Sequence, residues 1–340
     1  MAKILVTGGA GYIGSHTIVD LINNGYEVIS IDNYARSNED VFLGIKAICD
    51  KQIVNYQVDI CNLLALEKVF TNEKEIVGVI HFAAYKSVNE SVLQPILYYE
   101  NNIYGLLNIL KCIEKFDIPY FVFSSSCSVY GNIDSLPVSE NTPLSKPESP
   151  YAATKQMGEQ MIHDFAKTTS ANSVMLRYFN PVGAHPSALI GEVPFGKPAN
   201  LVPAITQTAI GWQEKLLIWG NDYNTRDGSC IRDYIHVMDI AHAHTLALFY
   251  LLKNKNASNC EIFNVGSGNG VSVLEAIHAF EKVSEAKLNY EVGPRREGDV
   301  VSIYASNENI CKKLNWKPQF DLDEMMRSAW QWQLALQAKK

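Results

Sequence analysis

No Cys-x-x-Cys pair occurs in this sequence, and its seven cysteines, at 49, 61, 112, 127, 230, 260 and 311, are scattered and odd in number. That pattern predicts neither a disulfide framework nor a thiolate zinc site, and it suits a reducing cytoplasm. Long apolar runs are also missing. The run 245-TLALFYLL-252 falls well short of the roughly 20 residues a membrane span needs, so no membrane partner is expected. The opening MAKILVTGG lacks the zones of a signal peptide, and a strand is expected at once. Excess positive charge is absent: the formal net charge is −7, and the pair 295-RR-296 is too small for a nucleic-acid surface. No internal repeat or low-complexity tract is present. What remains is 340 residues, 47% hydrophobic, enough for a large core or for two domains sharing a cleft.

The first 32 residues read as strand, glycine turn, helix, strand, acid. Residues 3-KILVTGG-9 form a buried strand pattern that enters 8-GGAGYIGSH-16, with Gly8, Gly11 and Gly14 spaced three apart. A helix is expected over 17–26 and a strand over 27–32, closing on Asp32. Glycines let a backbone turn sharply and approach a pyrophosphate, and the helix N-terminus offers N–H groups to the anion. An acid in the position of Asp32 accepts bonds from an adenosine ribose diol and repels a 2′-phosphate, which favours NAD over NADP. Arg36, close by, works against that preference.

Further units follow: strand 53–60 with Asp59 near its end, helix 63–72, and strand 76–84 ending in small residues that let a flat cofactor lie close. One long helical pattern runs over 96–116 with paired asparagines inside it, and asparagines are poor helix formers. They either face water or bond inward to a cofactor or to backbone. Strand 120-YFVFSS-125 then runs into a serine-rich end, where open parallel sheets bind ligands. The βαβα succession predicts an α/β fold with a doubly wound parallel sheet. A proline-rich loop over 134–150 has the length of an active-site loop.

After that loop comes 151-YAATKQMGEQMIHDFA-166, a helical pattern that sets Tyr151 and Lys155 on one face. A free phenol is too weak an acid to serve as a base at neutral pH. A nearby ammonium and an oxidised nicotinamide would both favour the phenolate. With Ser126 sharing the proton, these groups suit removal of a hydroxyl proton as hydride leaves the same carbon for NAD.

TGGAGYIGSH, FSSSCSVYG and Tyr-x-x-x-Lys, in that order, resemble the extended short-chain dehydrogenase/reductase superfamily. HFAAYKSVNES at 81–91, LRYFNPVGAHPS at 176–187, WGNDYNTRDGSCIRDYIHVMDIAHAH at 219–244 and PRREGD at 294–299 narrow this. Together they resemble the UDP-glucose 4-epimerase family, from residue 3 to about 333. The resemblance implies a Rossmann-like NAD domain, a smaller substrate domain, and C4 inversion through a transient 4-keto sugar with retained NAD. It makes Tyr151 the base, Ser126 its assistant and Lys155 the holder of the nicotinamide ribose. It assigns Gly8, Gly11, Tyr12, Ile13, Gly14, Asp32, Asn33, Asp59 and Ile60 to the cofactor. Phe82, Ala83, Ala84, Lys86, Asn101, Ser124 and Tyr178 complete that set. For a UDP-hexose it implies Asn180, Asn200, Leu201, Leu217, Trp219, Arg232, Arg296 and Asp299, with Lys86, Ser126 and Tyr151 also reaching the substrate. Ile303 falls where the family limits space around the sugar C2 substituent, and a homodimer is expected.

Beyond about 180 the pattern turns irregular and proline-rich. We expect residues 1–180 to form the NAD-binding domain and 181–340 to form mainly the nucleotide-sugar domain, with some segments returning to the first. Helix 237–252 is one such segment. Helices are expected over 201–211 and 325–337, a strand over 215–220, and a capping box at Ser272 and Glu275. His242 and His244 are two apart in a helix and cannot share a face, so no metal site is predicted with His236. Two other functions compete with the family activity. A nucleotide-sugar 4,6-dehydratase or similar enzyme would need a carboxyl pair where Cys127 and Ser128 stand. A non-catalytic NAD-sensing protein has no need to keep Ser126, Tyr151 and Lys155 together.

Overall fold

The computed structural model describes residues 1–133, 135–296 and 300–339. In chain order the strands are β1 (Lys3–Thr7), β2 (Glu27–Ile31), β3 (Val54–Tyr56), β4 (Ile76–His81), β5 (Tyr120–Ser126), β6 (Asn172–Tyr178), β7 (Asn180–Val182), β8 (Leu216–Trp219), β9 (Ile231–His236), β10 (Cys260–Val265), β11 (Gly270–Ser272), β12 (Tyr290–Gly293) and β13 (Ser302–Ile303). Seven of them make one sheet in the order β10-β6-β5-β4-β1-β2-β3. Every neighbour pair in it is parallel. The strand order reverses between β1 and β4, which puts a crevice at their C-terminal ends.

Both faces of this sheet are buried, so its strands read as continuous apolar runs rather than alternating ones. Ile4, Val6, Ile80, Val122 and Val174 pack toward one face. Leu5, Val79, Phe121, Phe123 and Met175 pack toward the other. The helices that cover them begin with α1 (Tyr12–Asn23), α2 (Val41–Cys49) and α3 (Leu63–Asn72). After β4 come α4 (Val88–Leu93), α5 (Pro95–Tyr99) and α6 (Gly105–Lys115), and after β5 comes α7 (Pro150–Thr168). Each fully buried branched or aromatic side chain contributes about 1.5–3 kcal/mol, which makes these two layers the main source of stability.

Three expectations change. The first helix starts at Tyr12 and ends at Asn23, directly after the glycine turn and not at 17. The strand expected over 53–60 is only three residues long. The single helix expected over 96–116 is broken by a π-helical turn, Glu100–Tyr104, between α5 and α6. The reason lies in Asn102. Its buried side chain accepts from Tyr85 N at 2.8 Å and donates to Tyr85 O at 3.0 Å and Thr154 Oγ1 at 3.1 Å. Widening the turn lets that amide reach the backbone after β4. Of the paired asparagines Asn102 therefore bonds inward, and Asn101 donates to its side-chain Oδ1 at 2.9 Å.

The second half adds α8 (Leu201–Ala209), α9 (Val237–Leu252), α10 (Val273–Ser284), α11 (Glu308–Leu314) and α12 (Leu322–Ala338). Val182, Val202, Ile205, Leu216, Tyr234, Ile277, Phe280 and Met326 form its own core. The expected capping box at Ser272 and Glu275 opens α10, and Asp321 with Glu324 makes another at α12. β10 joins the outer edge of the large sheet, and residues of α9 and α11 pack in the same layer as α1.

Candidate active site

Gly8 ends β1 with φ +72, a left-handed conformation that a side chain disfavours, and a Cβ there would come within 2.8 Å of Ala83 N. The turns after β1 and β4 thus meet backbone to backbone. Gly11 caps α1 without a side chain, which leaves the first turn open to an anion, with Tyr12, Ile13 and Gly14 carrying its N–H groups. Asp32 closes the turn from the β2 side. It accepts from Ala10 N at 3.0 Å, Tyr34 N at 2.9 Å and Ser37 Oγ at 2.8 Å. Asn33 reaches Asp59 at 3.3 Å, so the acids expected at an adenosine stand side by side. Ile60 is buried, and its carbonyl is held by buried Asn108. This bare, glycine-lined edge with two acids at one end fits NAD.

Two expected cofactor residues have other bonds. Tyr12 donates its hydroxyl to Gly183 O at 2.6 Å and so ties the glycine turn to the strand that follows β6. Lys86 pairs with Glu192 at 2.8 Å, and Asn200 donates to the same carboxylate at 2.9 Å. Arg36 too has a partner of its own. It pairs with Glu90 at 2.7 Å.

The catalytic candidates meet at the end of β5. Ser149 caps α7 by accepting from Ala152 N, and Pro150 occupies its first position, so Tyr151 lies in the first turn. Lys155, one turn on, is buried and donates to Ser124 O at 2.6 Å. Burial pushes its pKa down to about 7, opposed by the charge of Glu159. Burial pushes Tyr151 up to about 12, while its hydrogen bond with Ser126 pulls the other way. Burial thus opposes the Tyr151 phenolate and the Ser126 bond favours it. Tyr178, at the end of β6, is raised by burial and by Tyr151, and it bonds Ser124. Phe82, Ala83 and Ala84, just beyond β4, are half-buried.

The uridine-side candidates come from scattered elements. Asn180 opens β7, and Asn200 and Leu201 open α8. Leu217 and Trp219 lie on β8, where Leu217 packs over bare Gly293 and Trp219 is 40% exposed. Arg232 lies on β9 in register with Ile303, and its charge reaches the Cys127 thiol next to Ser126. Ile303 is buried among Val129, Tyr130, Val138, Phe179 and Ala305. Arg296 is exposed, and its neighbour Arg295 is engaged by Asp222 at 2.7 Å. Asp299 lies outside the described residues.

Residues 5–329 match the family model described as GDP-mannose 4,6 dehydratase. The UDP-glucose 4-epimerase of Bacillus subtilis strain 168 is 44% identical over 331 residues, 97% of this chain and 96% of its own length. A bifunctional protein of Pachysolen tannophilus is 45% identical over 98% of this chain, which spans 49% of that longer protein. The crystal structure of a UDP-glucose 4-epimerase from Stenotrophomonas maltophila, with bound NAD and formylated UDP-arabinopyranose, superposes with a TM-score of 0.96 at 41% identity over 100% of both chains. This chain belongs to the UDP-glucose 4-epimerase family. The family lies within the extended short-chain dehydrogenase/reductase superfamily, and the seven-stranded sheet above is its Rossmann-like NAD layer.

In this epimerase-family chain, several buried polar residues escaped the sequence reading. Ser125, the middle serine of the run, donates to Glu159, and Arg177 grips Glu159 through two bonds of 2.8 and 2.6 Å. The signal was available: Glu159 follows Lys155 by four, one helical turn. Asp233, an acid inside an apolar strand, accepts from Ser267 N, Gly268 N and Ala305 N and holds the turn beside Arg232. Among the described residues no group of three His, Cys, Asp or Glu side chains is placed to hold a metal, and no helix is long and apolar enough to cross a membrane. His236 accepts from Met238 N, His242 pairs with Asp20, and His244 bonds Ile240 O.

Proposed function

We propose that this chain reversibly inverts C4 of UDP-galactose and UDP-glucose while holding NAD throughout. The observation that carries this reading is the meeting of Ser126, Tyr151 and Lys155 at the end of β5, beside the crevice between β1 and β4. NAD supplies there the hydride acceptor and donor for C4 and, when oxidised, a positive charge that favours the Tyr151 phenolate. Tyr151 takes the C4 hydroxyl proton and later returns it, and Ser126 passes the proton between phenol and sugar oxygen. Lys155 holds the nicotinamide ribose, and Glu159 favours its charged form. Asp32, Asn33 and Asp59 hold the adenosine end. Arg232 and Arg296 match a diphosphate. Asn180, Asn200, Leu201, Leu217, Trp219 and Asp299 hold the uridine side while the 4-keto sugar turns its other face to C4 chemistry.

The test is to incubate purified protein with UDP-galactose, without added NAD, and resolve the nucleotide sugars over time. UDP-glucose approaching one fixed ratio from either direction, without accumulating NADH, is the expected result. A dead-end 4-keto product would move the activity to a dehydratase, a reading disfavoured by Cys127 and Ser128 beside Ser126. No conversion even with added NAD would overturn both.

Four narrower readings belong to the same proposal. The chain divides near residue 180, with α9, β10 and α11 given back to the cofactor domain. Buried Ile303 leaves intermediate room at the sugar C2 substituent, so UDP-glucose and UDP-galactose are the main pair, and activity on UDP-N-acetylgalactosamine tests this. Two copies pair through α6 and α7, where Leu107 and Met157, with Tyr104 of the π-helical turn before α6, are exposed large apolar side chains. Sedimentation as a monomer at micromolar concentration would remove that reading. Seven free thiols suit a cytoplasmic location.

A further inference from the structure

Arg36 occupies an unusual place for a charged loop residue. The loop after β2 is fixed on both sides of it, because Tyr34 N and Ser37 Oγ both bond Asp32. From there the guanidinium reaches the loop after β4. It pairs with Glu90 of α4 at 2.7 Å and lies 4.9 Å over the Tyr85 ring. Its other contact is the Phe195 ring at 4.4 Å, from the loop that carries Glu192 and Asn200. Glu90 is itself braced: the hydroxyl of fully buried Tyr98 donates to its second oxygen at 2.9 Å and accepts from Ser87 N. A guanidinium with a carboxylate at its edge and two aromatic rings near it is a favoured arrangement, and Lys does not reproduce its planar stacking.

The position of this cluster gives it a consequence. β1 lies between β2 and β4 in the sheet, so the loops after β2 and β4 flank the crevice over the end of β1. The adenosine-side residues Asp32 and Asp59 stand on one flank. Ala83, Ser124 and Lys155 stand on the other. The Arg36–Glu90 bond joins the two loops that flank this crevice. We propose that Arg36 is a cofactor-retaining positioning residue: with Glu90 it straps the two loops together over the crevice, and Phe195 ties the strap to the loop on the nucleotide-sugar side. This deepens the NAD reading above and rests on it. Retention matters for such a cycle, because a cofactor that leaves between the two hydride steps strands a keto sugar.

The experiment measures bound NAD per chain as purified, and the rate at which NAD is lost into buffer containing charcoal. Arg36→Ala is expected to lose NAD about tenfold faster than the wild type, with activity recovered by added NAD. Arg36→Lys falls between the two, since it keeps the charge and loses the stacking. Phe195→Ala, at a side chain 69% exposed, speeds loss by roughly threefold and keeps the fold. Melting of NAD-stripped protein is followed in parallel. A purely structural role lowers that melting temperature without ordering the NAD loss rates, and such a result overturns the strap. Equal loss rates in wild type, Arg36→Ala and Phe195→Ala also overturn it. Should Arg36→Ala not fold, Phe195→Ala and Glu90→Gln decide the matter by the same readout. Wild-type protein that binds no NAD would overturn the cofactor reading itself.

Discussion

On the cofactor side of the cleft, Asp32, Asp59, Ala83 and Ser126 stand at or just beyond the ends of β2, β3, β4 and β5, strands of one hydrogen-bonded sheet. On the uridine side, Asn200 opens a helix, Trp219 ends a strand of a two-stranded sheet, Arg232 lies within β9 and Ile303 sits in two-residue β13. Strand spacing sets the separation of the turns that carry the first group. The second is placed by packing of a separate core and by polar ties such as Asp233 to Ala305 N at 3.1 Å. The difference suggests a division of labour: the sheet edge carries chemistry that tolerates little displacement, while the assembled side supplies binding that can be tuned residue by residue.

Tyr151→Phe should break the sheet side most severely. We expect kcat to fall by about 10²–10⁴-fold, with KM, melting temperature and NAD content nearly unchanged. A loss smaller than tenfold in steady-state kinetics would make Tyr151 a bystander. Glu159→Ala comes next, because it leaves Arg177 buried without its bidentate partner. Denaturant unfolding should show about 3–5 kcal/mol of lost stability. Little change there would mean that the paired charges do not organise the β5 edge.

Acid should act on both sides at once. His16, His81 and His236 are lowered to about 3 and His244 to about 4, all chiefly by burial. An unfolded histidine titrates near 6.5, so below that pH the unfolded chain binds more protons than the native one. Their contribution to stability is therefore full above about 6.5 and is lost as pH falls toward 4. Each contributes a slope of up to about 1.4 kcal/mol per pH unit. Unfolding midpoints measured from pH 7.5 to 4.5 check this, and a flat profile would refute it. The smallest effect belongs to the uridine side. Trp219→Ala should raise KM for the UDP-sugar roughly three- to tenfold, with kcat and melting temperature preserved. A kcat collapse in that variant would erase the proposed division.

Much of the sheet side was legible because local signals and tertiary role coincide there. A glycine at φ +72, an acid closing a strand and a serine-rich strand end all leave marks in the sequence. The broken helix over 96–116 was not legible. Its cause is an amide bonding across to Tyr85 and Thr154, and no window of sequence contains both partners. Glu159 carries a mark in the sequence, one helical turn after Lys155, but its pairing with Arg177 shows only when the fold buries both. From the sequence Arg36 reads as a residue that could accommodate a 2′-phosphate, and only tertiary contact with Glu90, Tyr85 and Phe195 reveals its engagement. Uridine-side residues came from resemblance alone, since their elements are brief and share no period.

The return of β10 to the large sheet has a mechanical consequence. The chain leaves that sheet after β6, re-enters it at β10 and leaves again for β11, while α9 and α11 pack back against it. The two lobes are laced together by these crossings rather than joined at one hinge. Wide jaw-like opening would unravel strand pairing, so substrate exchange falls to the surface loops that rim the cleft. A fragment cut at residue 180 would lack its outermost strand and expose the apolar flank of β6.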